Sequence, residues 1–188
     1  MTDLHTGPIF PPGLSVPVRH ARTGATYHLI RMDALDATPE RLDEVVAACN
    51  ETQIHRWLFA QRLGHEPYSA EMAADFLRWA REGWAAGTHF VFGLLGPGGE
   101  LAAVLDIKSA EPDGAEVGYW LRAAHSGVMT NALAALVEQA RAAGYRSLFA
   151  QVRQGNARSA AVLTRTGFTP EGGEDFQGHP HERFTLKL

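Results

Sequence analysis

The sequence predicts an α/β fold in which a central mixed, mostly antiparallel sheet of about seven strands carries helices on both faces. Three observations predict it. The 188 residues, 45 % hydrophobic and 20 % charged, have an ordinary globular composition and a length that fits one hydrophobic core. The hydrophobic period changes along the chain, from helical spacing over 39–84 to alternation over 89–122 and back to helical spacing over 126–143. Strands and helices then alternate to the last residue, the order of a sheet covered on both sides.

Residues 1–15 read as a Pro-rich arm, with Pro8, Pro11 and Pro12, ahead of a single domain over 16–188. The arm lacks the basic start and apolar core of a secretory signal. Val16–His20 and Ala25–Met32 flank Arg22-Thr23-Gly24 as two strands joined by a turn. Thr38 caps and Pro39 opens a helix with Leu42, Val45, Val46 and Cys49 at i, i+3, i+4 and i+7, which places Cys49 on the buried stripe. Ser69 starts a second long helix, with Met72, Phe76, Trp79 and Gly83 on one face and Trp84 close to it; an irregular stretch holding Trp57, Phe59 and Tyr68 lies between the two.

Phe90, Phe92 and Leu94 alternate with their neighbours, Gly96–Gly99 turn, Leu101–Lys108 is the next strand, Glu111–Gly114 turn again, and Ala115–Arg122 completes an antiparallel meander. A helix from about Ser126 places Met129, Ala132, Leu133, Leu136, Val137 and Ala140 at helical spacing and stops at Gly144. Ser147–Val152 reads as a strand buried on both faces. Asn156–Thr166 is a shorter helix ended by Gly167, and Phe168 onward with Arg183–Leu188 makes two closing strands.

Composition excludes several classes of function. The single cysteine, Cys49, leaves no intramolecular disulfide and no Cys-rich zinc site. A net charge of −4, from 17 basic and 21 acidic residues, gives no global field toward nucleic acid or anionic lipid. The longest apolar run, Ala132–Val137, is far short of the roughly 20 residues of a membrane span, and a cytoplasmic location is expected. His179-Pro-His181 lacks a carboxylate at ligand spacing and His65-Glu66 lacks a second His, so no metal is expected. No Gly-x-Ser-x-Gly elbow occurs, and Gly96-Pro-Gly-Gly is followed by a strand where a dinucleotide loop needs a helix.

The informative segment is Glu116-Val-Gly-Tyr-Trp-Leu-Arg122-Ala-Ala-His125-Ser126-Gly127-Val128-Met129-Thr130. A strand runs through a short loop into a helix N-terminus, where unpaired N–H groups and the helix dipole make a seat for a diphosphate. The spacing Arg122-x-x-His125-x-Gly127 is similar to the Gln/Arg-x-x-Gly-x-Gly/Ala signature of the GNAT superfamily of acyl-CoA-dependent N-acyltransferases. Asn156-Ala-Arg158-Ser159 with Gly167-Phe168 resembles that superfamily's second landmark, in register with the first. Gly118-Tyr-Trp-Leu121, Gly127-Val-Met-Thr130 and Gly155-Asn-Ala-Arg-Ser159 resemble its RimJ/RimL-type branch, known for acetylating ribosomal-protein N-termini and small amines. His125 stands where the signature has its first glycine, and Leu163 where many members place a general-acid Tyr; RimL-type members are similar in lacking that Tyr.

The resemblance implies a GNAT fold, acetyl-CoA as cosubstrate, direct transfer in a ternary complex and a homodimer. It implies cofactor contacts from Trp120, Leu121, Arg122, His125, Ser126, Gly127, Val128, Met129, Thr130, Asn156, Arg158 and Ser159. It also implies that Ser159 stabilises the departing thiolate; read from the residues, Ser159 is equally a small residue in the first turn of a helix capped by Asn156.

The chemistry asks for a neutral amine. At pH 7 a lysine-like amine is only about 0.04 % neutral, a barrier near 4.6 kcal/mol, against about 1 kcal/mol for an α-amine. A general base matters accordingly, and Glu116 is the candidate because period two puts it on the side of Gly118, Trp120 and Arg122; it reads equally well as a salt-bridge carboxylate at a strand start. The resemblance implies that the amine or peptide acceptor enters between the first two helices and the loop joining the last two strands, which makes Trp57, Phe59, Glu174 and His179 the candidates; Glu171, Glu174 and Asp175 there would favour a cationic substrate, and read equally as an ordinary solvated loop. Rival readings are an acyl-CoA sensor without turnover, a transferase for a longer acyl-CoA such as succinyl-CoA, and a nucleotide-binding domain unrelated to CoA.

Overall fold

A computed structural model describes residues 7–176 and 178–188, the side chains of Glu174 and Phe176 excepted. Eight strands form one sheet in the order β1-β2-β3-β4-β5-β6-β8-β7, where the sequence suggests about seven. They are β1 Ser15–Arg19, β2 Thr26–Arg31, β3 Phe90–Leu95, β4 Leu101–Ile107, β5 Ala115–Leu121, β6 Ser147–Arg153, β7 Thr169–Phe176 and β8 His179–Lys187. Neighbouring strands pair antiparallel except β5 and β6, which run parallel because helix α5, Met129–Ala143, crosses between them.

Helices cover both faces, so β3, and β4 apart from Asp106, are apolar and almost wholly buried. One core joins the sheet to α5 and α6, Ala157–Arg165, through Leu133, Leu136, Leu163 and Phe168. The other joins it to α1, Pro39–Cys49, and α4, Ala70–Ala86, through Val45, Cys49, Ala73, Leu77 and Trp120. The expected caps are present: Thr38 accepts from the Arg41 N–H at 3.3 Å and Ser69 from the Met72 N–H at 3.2 Å. Burial pushes the Cys49 thiol up to about 12, which suits a packing residue and not a nucleophile.

Several expectations shift. The arm is partly core: Phe10 and Leu14 are buried, and the Phe10 ring sits 4.9–5.5 Å from the rings of Phe90, Phe92 and Trp84. The buried stripe of α4 is Ala73, Leu77, Ala80, Gly83 and Trp84, while Trp79 is 38 % exposed and stacks on His89. Small residues on that stripe let the helix lie close to the sheet and turn the bulky side chains to its flank. The stretch expected to be irregular is helical: α2, Thr52–Ile54, runs through a π-helical turn, His55–Phe59, into α3, Ala60–Leu63. Strand β6 is buried on one face only: Leu148, Ala150 and Val152 are buried, whereas Phe149, Gln151 and Arg153 are half-buried.

Candidate active site

Strands β5 and β6 pair only at Ala115 with Leu148 and Glu116 with Phe149. Beyond that point β5 stays on β4 as far as Leu121 and β6 stays on β8 as far as Arg153, so their facing edges part. The gap is a cleft of about 260 Å³ with two unpaired backbone edges, and such edges demand hydrogen-bonding partners. Alternation on β5 sends Glu116, Gly118 and Trp120 to the α1/α4 side and Val117 and Tyr119 to the α5/α6 side.

Glu116 lines the cleft and pairs with Lys108 Nζ at 2.5 Å, the ion pair that one of its two sequence readings expects. Behind the pair lies Asp106, whose Oδ1 is buried without a hydrogen-bond partner; burial pushes its carboxyl up, against the opposing pull of Lys108. Gly118 leaves the room for it, since a Cβ there would lie 2.9 Å from Asp106 Oδ1. On the opposite face Ser159 Oγ meets the Tyr119 hydroxyl at 2.9 Å, and that hydroxyl also donates to the Ser159 carbonyl at 3.1 Å. Asn156 Oδ1 accepts the Ser159 N–H at 3.3 Å, capping α6, and all three side chains line the cleft. Burial pushes the Tyr119 phenol up to about 12, with the Ser159 hydrogen bond acting the other way.

Strand β5 runs out of the cleft into the loop 122–128. A 3-10 turn, Ala123–His125, precedes α5, which therefore starts at Met129 and not near Ser126. The first i→i−4 bond of α5 joins the Ala132 N–H to the Val128 carbonyl, and no side chain caps the helix. The N–H groups of residues 127–131 thus stand ahead of the helical ladder. Gly127 takes φ +114°, a conformation open essentially to glycine alone. His125 lies in the right-handed turn and needs no such conformation. Its ring is directed to Tyr27, with Nδ1 3.0 Å from the phenol oxygen, and burial lowers its pKa, with Glu100 opposing.

The loop is pinned from outside. Arg122 Nε donates to Glu51 Oε1 at 3.0 Å and the Ala123 N–H to Glu51 Oε2 at 2.7 Å. The Ser126 carbonyl takes hydrogen bonds from His20 Nε2 at 3.1 Å and Arg22 Nη2 at 2.7 Å. Val128 and Met129 are buried, leaving only backbone to face outward there, whereas Leu121 and Thr130 are half-buried and Arg158 is exposed on α6. Trp120 is buried in the core beneath the cleft.

On the acceptor side the structure separates the candidates. Trp57, Leu58 and Gln61 of the helical segment 52–63 line the cleft, and the Trp57 ring lies across Gly155 on the opposite lip. Phe59 turns inward, its ring 4.7 Å from Tyr68, so it is wall support and not lining. His181, not His179, reaches the cleft, and its Nδ1 bonds the His179 carbonyl at 2.8 Å. The Glu174 side chain lies outside the described residues. Asp175 and Glu182 line a separate hollow of about 480 Å³ that shares only His181 with the cleft. Among the described residues no three His, Cys, Asp or Glu side chains gather to hold a metal, and no helix is long and apolar enough to cross a membrane.

A family profile described as the acetyltransferase (GNAT) domain matches residues 34–169, which include the splayed strands and the loop. The chain belongs to the GNAT acetyltransferase family. No curated protein sequence matches it. The acetyltransferase shares its fold with solved structures of low sequence identity. One, from Salmonella typhimurium, modifies the N-terminal serine of the 50S ribosomal subunit protein L7/L12 (22 % identity, TM-score 0.70, 92 % of this chain and 99 % of that one). Another is Mycobacterium smegmatis RimJ in complex with CoA-disulfide (20 %, 0.68, 93 % and 87 %). A third is spermidine N-acetyltransferase from Vibrio cholerae in complex with CoA and spermine (14 %, 0.67, 86 % and 95 %).

Residue-type reasoning passes over Tyr119, Lys108, Glu51 and His20 in this acetyltransferase. Period two along β5 carries the signal for Tyr119, because it places the phenol opposite Glu116 and so toward the helix that holds Ser159. Glu51 and His20 carry no local signal: each meets the loop only through tertiary packing.

Proposed function

We propose that the acetyltransferase moves an acetyl group from acetyl-CoA to a primary amine, a peptide N-terminus or a small amine, by direct transfer. The observation that carries this reading is the unpaired edge of β5, which runs from the β5–β6 gap toward the loop and the uncapped start of α5. An extended pantetheine arm satisfies the unpaired strand edge by β-like pairing, and a pyrophosphate meets the N–H groups of Gly127, Val128, Met129 and Thr130. Cofactors with this shape fit the residues present, since Gly127 carries no side chain and His125 is held on Tyr27.

In the transfer the amine lone pair forms the N–C bond at the thioester carbonyl, the C–S bond breaks, and its electron pair goes to sulfur. Glu116 takes the amine proton, and the Leu121 N–H, on the edge of β5 turned away from β4, meets the developing oxyanion, the Arg122 N–H being committed to the Ala102 carbonyl. Ser159 donates its hydroxyl hydrogen bond to the departing sulfur, and Tyr119 holds that hydroxyl in place. Cys49 is buried in the second core, which disfavours a covalent acyl-enzyme. The test is thiol release from acetyl-CoA across a panel of amines, paired with calorimetric binding. Turnover with at least one amine is expected; tight binding with none turned over identifies a sensor, and competition only by nucleotides lacking pantetheine removes CoA from the account.

A further inference from the structure

Among the described residues the charges on the acceptor side of the cleft do not balance. Lys108 is neutralised by Glu116 at 2.5 Å, and Arg183 lies over the Phe149 ring with Glu171 3.7 Å from its Nε. Arg153 has no such partner: it lines the cleft, half-buried, and its guanidinium reaches only the Arg56 carbonyl, at 3.4 Å. Among the described residues no carboxylate pairs with Arg153, nor with Arg56, whose guanidinium covers the Trp57 ring at 4.9 Å. Of the acidic residues expected to draw a cation, Glu171 and Asp175 do not reach this wall, and the Glu174 side chain lies outside the described residues. Glu171 is beside Arg183, and Asp175 and Glu182 line the separate hollow, Glu182 pairing across the strands with Val152 on the α5/α6 side. Asp106, the remaining carboxyl, is buried behind Lys108 and does not line the cleft.

A guanidinium that lines a cleft without a counter-ion favours a carboxylate, which it binds through two parallel N–H donors. We propose that the amine acceptor carries a carboxylate, or an oxyanion of like shape, one or two residues from the reacting nitrogen, and that Arg153 binds it. The spacing follows from the strand: Arg153 lies four residues beyond Phe149, the last β6 residue paired to β5, and so about 13 Å further along. The reacting amine approaches beside Gly118 and Tyr119, part-way along that distance, which leaves one or two residues of extended chain to span the remainder. A polyamine, by contrast, meets Arg153 with like charge. This inference rests on the acetyltransferase reading above and narrows it to one acceptor class.

The experiment compares thiol release with three peptides that differ only at residues two and three, Ser-Glu-Glu, Ser-Gln-Gln and Ser-Lys-Lys, each followed by the same neutral tail. Free aspartate, glutamate and spermidine form further arms that separate a peptide source from a small molecule. The expected result is a kcat/KM at least tenfold higher for an acidic acceptor than for its basic counterpart, a preference that shrinks at 0.5 M salt. Arg153→Gln is expected to abolish the preference and Arg153→Glu to reverse it, while Arg165→Gln, exposed at the end of α6, leaves it intact. Equal turnover of the acidic and basic peptides by the parent protein overturns the inference and leaves the acetyltransferase reading standing. Loss of the preference in Arg165→Gln as well as Arg153→Gln also overturns it, because the effect is then one of overall charge. Acetyl-CoA binding with no thiol released by any acceptor overturns both.

Discussion

Replacing Tyr119 by Phe removes one oxygen atom from the cleft and leaves the ring in place. That oxygen lies 2.9 Å from Ser159 Oγ and 3.1 Å from the Ser159 carbonyl, and magnitude separates its two conceivable roles. With the phenol pushed up to about 12 and a thiol near 8.5, handing a proton through to the thiolate runs uphill by about 5 kcal/mol. The neutral phenol instead keeps its one proton on the Ser159 carbonyl and holds Ser159 Oγ beside its oxygen, so that the serine proton turns from the phenol oxygen to the sulfur, where a hydrogen bond to a charged acceptor contributes about 1.5–3 kcal/mol. Tyr119→Phe is therefore expected to lower kcat roughly 10- to 150-fold with KM for acetyl-CoA within about twofold. The assay is thiol release at saturating substrates for the parent, Tyr119→Phe, Ser159→Ala and the double variant. Because Tyr119 acts through Ser159, the double variant should be no slower than Ser159→Ala. Losses that multiply, or a Tyr119→Phe enzyme within twofold of the parent, refute the coupling and leave the hydroxyl pair as packing.

Three further outcomes are expected. Glu116→Gln should depress kcat/KM more at low pH than at high pH, and more for a lysine-like amine than for an α-amine, because the base matters most where the amine is most protonated; a loss independent of pH and acceptor would assign Glu116 to the Lys108 ion pair alone. Gly127→Ala forces a side chain on to φ +114° and a Cβ to within 2.9 Å of His20 Cε1, so calorimetry should show at least tenfold weaker acetyl-CoA binding, and unchanged affinity would remove the loop from the cofactor site. Cys49, pushed up to about 12 by burial, stays protonated in the folded chain after the unfolded thiol ionises near 8.5, so this group's stabilisation is full below that pH and falls by up to about 1.4 kcal/mol per pH unit as pH rises toward 12. Urea titrations at pH 8 and 10 should give a shallower decline for Cys49→Ala than for the parent, and parallel declines would contradict it.

The acceptor wall shows how residue type can mislead without register. Glu171, Glu174 and Asp175 fall close together in sequence and read as one acidic loop, yet a bulge between Pro170 and Gly172 and the alternation of β7 part Glu171 from Asp175. Glu171 meets Arg183, and Asp175 lines a different hollow. Phe59 and Trp57, two residues apart, diverge in the same way, because a π-helical turn sends one ring to Tyr68 and the other across to Gly155.

What the sequence by itself determined is whatever a local rule can carry. Runs bounded by the turns at Gly96–Gly99 and Glu111–Gly114 marked β3 to β5, Thr38, Ser69 and Asn156 announced the helix starts they cap, and Arg122 to Thr130 with Asn156 to Ser159 announced the family. The tertiary structure alone decided which distant groups meet there. Ser159 finds Tyr119 across 40 residues, Arg122 finds Glu51 across 71, and Ser126 finds His20 across 106. Periodicity fixes the face on which a side chain emerges, but its neighbour depends on strand order, register and the point at which β5 and β6 part. Those are properties of the packed chain as a whole, set by where both cores close.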